Sequence, residues 1–354
     1  MNKLNYYLLA VCLAGGYTAE AKDVFQIGTA DNSSKEFALG PDNYKRFVYE
    51  DFGYEDTYYL VNHSNLKAKF PATLPGPADT WGGTWGTSGW RTHDINILFG
   101  VKKMEPGKWT LVVDLLDCSH SNPPLLKMKV NGKWQNFRLE AGGSDNSIDG
   151  EVNRLKEQIL RYEIPEGVIK EGGNCINFNS IEGSWLIFDQ VRLEGPDNVV
   201  LEIPDKGFVR GIEAGNYTLR AENNKRIQPL LVDVEHLEGM PRLSVMLDGE
   251  EILSQKIEAG RYILEAPMPA VTHLIQSNYS VAIDGKVVRE GKIERTPQKE
   301  QTLADYVDTR IGTAHSRWMI APGPWMPFSM VKMSPDNQNK GWQAGYQYSF
   351  ESIG

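Results

Sequence analysis

Basic runs are missing from this chain. Lys and Arg number 37 against 46 Asp and Glu, giving a net charge of -9 and an isoelectric point near 5.3. That is the opposite of the clustered cations that displace counterions from a phosphate backbone, so nucleic acid is excluded as a partner. No apolar stretch approaches the roughly 20 residues that a bilayer crossing needs, and no transmembrane segment is expected. Metal and nucleotide fingerprints are absent too: no CxxC, HExxH, GxSxG elbow, P-loop or dinucleotide-binding glycine pattern occurs. The six histidines are scattered, each more simply read as a satisfied surface or core residue than as a catalyst. Internal repeats and low-complexity tracts do not stand out. Cysteine is scarce, with three residues in 354.

What is there begins with a leader. Lys3, the apolar stretch Leu8-Leu9-Ala10-Val11-Cys12-Leu13-Ala14 and the small-x-small step Ala19-Glu20-Ala21 form a secretory signal over residues 1–21. Export to the periplasm, cell envelope or medium is the expectation. Cys118 and Cys175 then remain. An oxidising compartment permits a disulfide between them if their strands come close, and the alternative is two small apolar residues packed in strands.

Composition is globular, at 41% hydrophobic and 23% charged residues, and the length suits two or three domains. Short β-branched or aromatic runs dominate from Asp23 to about Pro196: Trp109–Leu116, Leu126–Val130, Gln158–Ile164 and Trp185–Leu193. Turn dipeptides such as Pro106-Gly107 and Asn131-Gly132, and the stretch Glu171–Asn174, separate them. In Leu126-Lys-Met-Lys-Val the lysines fall on one face and the apolar residues on the other, as in a sheet with one wet side. The spacing predicts a β-sandwich over 22–196. A second set of strands, around Tyr217, Leu230–Val234, Leu243–Leu247, Tyr262–Ala266 and Tyr279–Ile283, carries the hairpin turns Asp248-Gly249 and Asp284-Gly285. It predicts an immunoglobulin-like module over 197–295, read as a spacer because it gathers no chemistry-bearing cluster. Residues 296–302 are polar and proline-broken, as in a linker. Residues 303–354 are rich in Trp, Met, Pro and Gly and too short to enclose a core of their own, so they read as the truncated start of a further domain.

One loop invites chemistry. Between Thr80 and Asp94, three tryptophans fall within ten residues, among glycines. Flat indoles suit the apolar C–H faces of sugar rings, and Arg91 and Asp94 supply a donor and an acceptor for hydroxyls. Trp81 and Trp85 are the ligand candidates, whereas Trp90, leading directly into a strand, reads as a core anchor. The paired carboxylates of glycoside hydrolysis need a defined separation across the scissile bond, which sequence spacing does not show among 46 acidic residues.

Two resemblances give these readings a direction. Trp90-Arg-Thr-His-Asp-Ile-Asn-Ile-Leu-Phe, Trp109-Thr-Leu-Val-Val, Val130-Asn-Gly, Arg161-Tyr-Glu-Ile-Pro, Gly172-Gly-Asn-Cys-Ile-Asn-Phe and Phe188-Asp-Gln-Val-Arg-Leu-Glu, in that order, resemble the C-terminal carbohydrate-binding-like domain of rhamnogalacturonan lyases, polysaccharide lyase family 4. The resemblance implies a galactose-binding-like jelly roll, here without the lyase's catalytic domain. Tyr306-Val-Asp-Thr-Arg-Ile-Gly-Thr, Ala321-Pro-Gly-Pro-Trp-Met-Pro-Phe-Ser-Met-Val-Lys-Met-Ser-Pro-Asp-Asn and Gly345-Tyr346 resemble the opening of glycoside hydrolase family 92, calcium-dependent exo-acting α-mannosidases. That second resemblance implies a third β-sandwich that leans on a large helical domain, where the catalytic carboxylates and the calcium ligands sit. It also implies that Trp342 and Tyr346 approach the mannose pocket, the alternative being that both pack inside the sandwich.

The reading that joins these observations is an all-β, exported, non-catalytic glycan-binding portion of an α-mannosidase, with the catalytic helical domain missing. α-Mannosides or other plant or host polysaccharides are the expected partners. A stand-alone secreted carbohydrate-binding protein is the alternative, and a lyase-related protein a more distant one.

Overall fold

The computed structural model describes residues 22–308 except 51, 54–55, 84–91 and 222–223. The described chain is almost entirely β. The first sandwich is built from β1 (Lys22–Gly28), β2 (Thr57–Leu60), β3 (Thr73–Leu74), β4 (Asp94–Lys103), β5 (Trp109–Cys118), β6 (Leu125–Val130), β7 (Lys133–Arg138), β8 (Gln158–Ile164), β9 (Gly172–Glu182), β10 (Leu186–Gly195) and β11 (Val200–Leu201). One sheet runs β1-β10-β5-β8 with β3 also on β10, and the other runs β11-β4-β9-β6-β7 with β2 also on β4. β2 lies parallel to β4, and the other neighbours are antiparallel.

Period-2 patterning drives this arrangement. Ile95, Ile97, Phe99 and Val101 of β4, Leu126, Met128 and Val130 of β6, and Ile176 and Phe178 of β9 are all buried against Leu111, Val113 and Leu115 of β5 and Phe188, Val191 and Leu193 of β10. Aromatic rings bridge the layers, with Phe25–Phe99 at 5.2 Å and Phe178–Phe188 at 5.8 Å between centroids. Long connections, residues 29–56, 75–93, 119–124 and 139–157, gather at the end of the sandwich where β4, β6 and β10 begin.

The second sandwich comprises β12 (Gly207–Ala214), β13 (Leu219–Arg220), β14 (Arg226–His236), β15 (Arg242–Leu247), β16 (Glu250–Lys256), β17 (Gly260–Pro269), β18 (Ile275–Ile283) and β19 (Lys286–Arg295). Its sheets are β12, β13, β14 and β17, and β16-β15-β18-β19, closed over an aliphatic core that includes Leu230, Val232, Leu243, Val245 and Val281. Strands that alternate between two antiparallel sheets in this order make the Greek-key arrangement of immunoglobulin-like sandwiches. The turns Asn131-Gly132, Asp248-Gly249 and Asp284-Gly285 have positive φ at both residues, which matches the strand twist in two-residue hairpins. The segment read as a linker is pinned to this sandwich: Thr218 donates to the Lys299 carbonyl and Gln301 to the Thr218 carbonyl, while Arg220 pairs with Glu300 at 2.8 Å.

The two sandwiches touch closely. Phe208 of β12 fills a pocket with Leu60 of β2 and Leu98 of β4. Arg261 of β17 stacks over the Tyr58 ring, 3.3 Å from its centroid, and Arg289 pairs with Glu202 at 2.8 Å. Gly173, which the sequence placed in a turn, instead lies in the first residues of β9. There a Cβ would come within 2.2 Å of the Arg210 carbonyl, so only glycine lets the two backbones approach. On the far side of this contact an open cleft of about 1200 Å³ separates Lys102 and Lys170 from Lys286 and Glu290.

Candidate functional site: a polar sheet face below the tryptophan loop

The tryptophan loop is closed at its base. Trp81 lies in a one-turn 3-10 helix, Thr80–Gly82, half-buried with its ring edge-on to Tyr44 at 4.8 Å and to Phe47 at 6.0 Å. It therefore packs the loop end rather than standing free to stack on a sugar. His93 donates through Nε2 to the Gly82 carbonyl at 2.6 Å, tying the two ends of the loop together. Asp79, at the start of the turn, accepts from Ser184 Oγ at 2.5 Å and from the Gly76 amide at 2.9 Å. Burial nonetheless pushes its carboxyl up to about 6. Trp85, Trp90 and Arg91 lie outside the described residues, as do Trp342 and Tyr346.

Asp94, the remaining candidate, opens a larger constellation on the outer face of the six-stranded sheet. Strand register lines up two cross-strand rows there. The first is Asp94, Asn179, Lys127 and Asn136; the second is Tyr58, Asn96, Asn177, Lys129 and Trp134. Asp94 Oδ1 accepts from Asn177 Nδ2 at 3.0 Å and from Asn179 Nδ2 at 2.9 Å, and Asn177 Nδ2 also donates to Asn96 Oδ1 at 3.0 Å. The carbonyl oxygens of Asn177 and Asn179 find no partner among the described residues. Trp134 is 56% exposed, and the Lys127 ammonium sits 4.8 Å from its ring centroid. Next along the sheet, Leu60, Leu98 and Cys175 are apolar and lie under Phe208. The polar face thus ends where the second sandwich begins.

Sequence reasoning found Asp94 but missed Asn96, Asn177, Asn179 and Trp134. A trace was present: Asp94-x-Asn96 and Asn177-x-Asn179 place polar residues at period 2 inside otherwise apolar strands, a pattern with no packing explanation. The lysine alternation is borne out, with Leu126, Met128 and Val130 buried in the core. The lysine face is less wet than expected, because Lys127 is buried under its neighbours.

The opposite outer face differs. On the five-stranded sheet, Arg161 pairs with Glu194 at 2.5 Å and Arg192 with Glu194 at 3.1 Å, a network that satisfies itself. Asp114 on that face has its carboxyl pushed up to about 6, first by burial and then by Glu157.

Two expectations concern cysteine and metal. The disulfide does not form: Cys118 and Cys175 are both free thiols. β5 and β9 belong to different sheets. Cys118 packs in the main core and Cys175 beside Leu98. Burial raises both thiols to about 11. Among the described residues no group of three or more His, Cys, Asp or Glu is placed to hold a metal ion, so no calcium ligand is assigned here. No described helix is long and apolar enough to cross a membrane.

A tandem of β-sandwiches, with a polar face on the first, is thus the class the fold defines. Residues 23–193 match the family model described as CBM-like, polysaccharide lyase family 4 domain III. Residues 306–354 match the glycosyl hydrolase family 92 N-terminal domain. Both segments are therefore similar to domains of glycan-degrading enzyme families. No curated protein matches the chain. Similar solved structures include an FMN-binding β-glucuronidase from Facaelibacterium prausnitzii L2-6, at 12% identity and TM-score 0.21, covering 58% of this chain and 32% of that one. A GH2 β-galacturonidase from Eisenbergiella tayi gives 9% identity and TM-score 0.21, covering 63% and 38%. A family GH115 4-O-methyl-α-glucuronidase gives 14% identity and TM-score 0.24, covering 50% and 18%. The chain thus spans well under half the length of each of these structures, and likenesses this faint carry no argument about substrate.

Proposed function

We propose that the first sandwich is a non-catalytic glycan-binding module of an exported glycan-degrading protein, and that its binding surface is the polar face around Asn96, Lys129 and Trp134, with the buried Asn177 and Asn179 amides behind it. The observation that carries this reading is the pair of cross-strand rows. The half-buried Asn96 amide and Lys129 ammonium, held at strand spacing over the buried Asn177 and Asn179, meet ring hydroxyls, and the exposed Trp134 indole meets the apolar C–H face of a sugar. The family 92 match at residues 306–354 supports placing the module in an α-mannosidase, with calcium and catalytic carboxylates belonging to that family's helical part. The leader features around Lys3, Leu8–Ala14 and Ala19–Ala21 support export.

Affinity electrophoresis of the chain against a panel of immobilised polysaccharides, α-mannan included, tests the reading. Retardation by at least one glycan is expected. Trp134→Ala is expected to weaken that binding at least about tenfold, ~1.4 kcal/mol, with an unchanged circular dichroism spectrum. Failure of every glycan to retard the chain, or indifference to Trp134→Ala, overturns it. Calcium-dependent release of mannose from an α-mannoside by the same chain would overturn the non-catalytic part.

A further inference from the structure

The second sandwich has two poles, and the chain uses them differently. β14 runs the length of it, 11 residues from Arg226 to His236, about 34 Å at about 3.4 Å per residue. At the His236 end, Phe208 and Arg261 meet the first sandwich. At the Arg226 end, residues 296–302 are held along their length. Arg226 donates through Nη2 to the Thr218 hydroxyl at 2.8 Å and to the Gln298 carbonyl at 3.1 Å. The Thr218 amide donates to the Lys299 carbonyl and the Gln301 amide to the Thr218 carbonyl, each at 2.8 Å. Arg220 forks onto both carboxylate oxygens of Glu300, at 2.9 and 2.8 Å. Thr302 and Asp305 then form a capping box that starts the 3-10 turn Leu303–Tyr306. β19 therefore passes into that turn without the slack of a flexible tether.

The turn presents an apolar surface. Leu303 is 88% exposed, Tyr306 63% and Val307 68%, three large apolar side chains within five residues. Tyr306 lies beside Tyr217, whose hydroxyl donates to Glu265 at 2.5 Å and is pushed up by burial, then by Glu265 and Tyr306. Leu274, 59% exposed, stands in the β17–β18 turn at the same pole, next to the Ile275–Arg295 pair. Single exposed apolar side chains are ordinary on a protein surface, whereas a cluster of them marks a contact. What continues from this cluster is the chain itself: the family 92 N-terminal match begins at Tyr306, on the turn, and residues 309–354 follow. A domain that starts on the turn without a tether begins in contact with the sandwich that carries it.

We infer that the pole formed by Tyr217, Leu274, Leu303, Tyr306 and Val307 is the seat of the chain's own continuation, residues 309–354, and that residues 296–302 are a splint that fixes it there. The second sandwich is then a strut of set length, with the first sandwich on one pole and the family 92-like segment on the other. A tethered module searches the volume around its neighbour at an effective concentration set by the linker. A strutted one stands at a fixed offset of about 34 Å. The inference goes beyond the glycan-binding reading and holds whether or not the first sandwich binds a sugar.

The test is photo-crosslinking from p-benzoylphenylalanine placed at Leu303 in the full chain, with the products mapped by mass spectrometry. Crosslinks are expected within one chain, confined to a few positions beyond Ala321, at a yield independent of protein concentration. Tyr306→Ser is expected to lower that yield several-fold, and Arg220→Ala, which frees Glu300, to scatter the crosslinks along the segment, both with the melting transition of the second sandwich unchanged. Crosslinks to a second copy, rising with concentration, overturn the proposal in favour of a dimer face. Crosslinks spread evenly over 309–354, or none at all, show an uncovered pole and overturn the seat. A yield that Tyr306→Ser leaves unchanged overturns the contact at Tyr306, and a confined pattern that survives Arg220→Ala overturns the splint.

Discussion

The two sandwiches obey the same alternation but spend it differently. The first encloses large rings, among them Phe37, Phe70, Phe99, Phe178 and Phe188, each under 2% exposed, and sends long connections to one end. The second closes over Val and Leu with two-residue turns at Asp248-Gly249 and Asp284-Gly285. A core of aromatic area stabilises more per strand. It leaves room for the cost of nearly buried polar side chains such as Asn177 and Asn179 on the outer face. The smaller core buries fewer polar side chains, Gln228, His236, Ser277 and Arg295 among them. The contrast teaches that chemistry collects where the core has the larger surplus, and the second sandwich acts as a brace that meets the first at Phe208 and Gly173.

The strongest way to break this contrast is to damage each core separately. Phe178→Ala is expected to destabilise the first sandwich by about 3–5 kcal/mol and Leu243→Ala the second by about 2–5 kcal/mol. Calorimetry should show the first substitution lowering one transition and the second lowering another, with glycan binding lost for the first. If either substitution lowers a single shared transition, the molecule unfolds as one unit and the division of labour has no thermodynamic content.

A smaller effect sharpens the role of the junction. Gly173→Ala brings a methyl against the Arg210 backbone at 2.2 Å, where no flexible side chain can give way, so the sandwiches must shift apart at about 1–3 kcal/mol. Hydrogen exchange is expected to quicken in β12 and in the first residues of β9 while β5 and β10 keep their protection. Unchanged exchange in β12 would mean that the contact is incidental.

Much of this architecture was legible before any coordinates, for reasons tied to particular residues. Gln158–Ile164 was read as a strand and is β8 to the residue, because β-branched and aromatic side chains sit between clear turn signals. The hairpin glycines announced themselves because the two-residue loop needs positive φ. Among the strands that escaped notice, β7, Lys-Trp-Gln-Asn-Phe-Arg, is exposed almost throughout and offers no apolar run, whereas β9 is central and largely buried but opens on Gly172-Gly173, which reads as a turn. The candidate site was harder. Tryptophans adjacent in sequence drew attention to the loop, yet Trp81 is engaged with Tyr44 and Phe47. The rows that matter join residues tens of positions apart, Asn96 to Asn177 to Lys129, through strand register. Register is a product of the assembled sheet, and a single sequence does not display it.

The gentlest probe of the contrast is pH. In the first sandwich Asp79 is pushed up to about 6 by burial, from an ordinary value of 3.8, and Asp114 likewise. A carboxyl with a raised folded value binds its proton more readily in the folded state, so its contribution to stability is full below about 3.8 and is lost as pH rises through about 6. In the second sandwich Asp248 is held below the ordinary range by the Asn278 amide, and Asp284 by Lys206 and the Arg242 amide. Their contributions are present above 3.8 and fade only in stronger acid. Between pH 7 and 5 the transition of the first sandwich is therefore expected to rise by an amount of order 1 kcal/mol, while these two groups leave the second nearly level. Glu235, raised at the junction, adds a smaller rise to whichever transition breaks that contact. Asp79→Asn removes one of these titrations, beside Asp114 and the likewise raised Asp189, and should flatten the first profile measurably. A profile that falls from pH 7 to 5, or one that Asp79→Asn leaves untouched, would show that the carboxyl is solvated in solution and that the base of the tryptophan loop is looser than its hydrogen bonds to Ser184 and Gly76 imply.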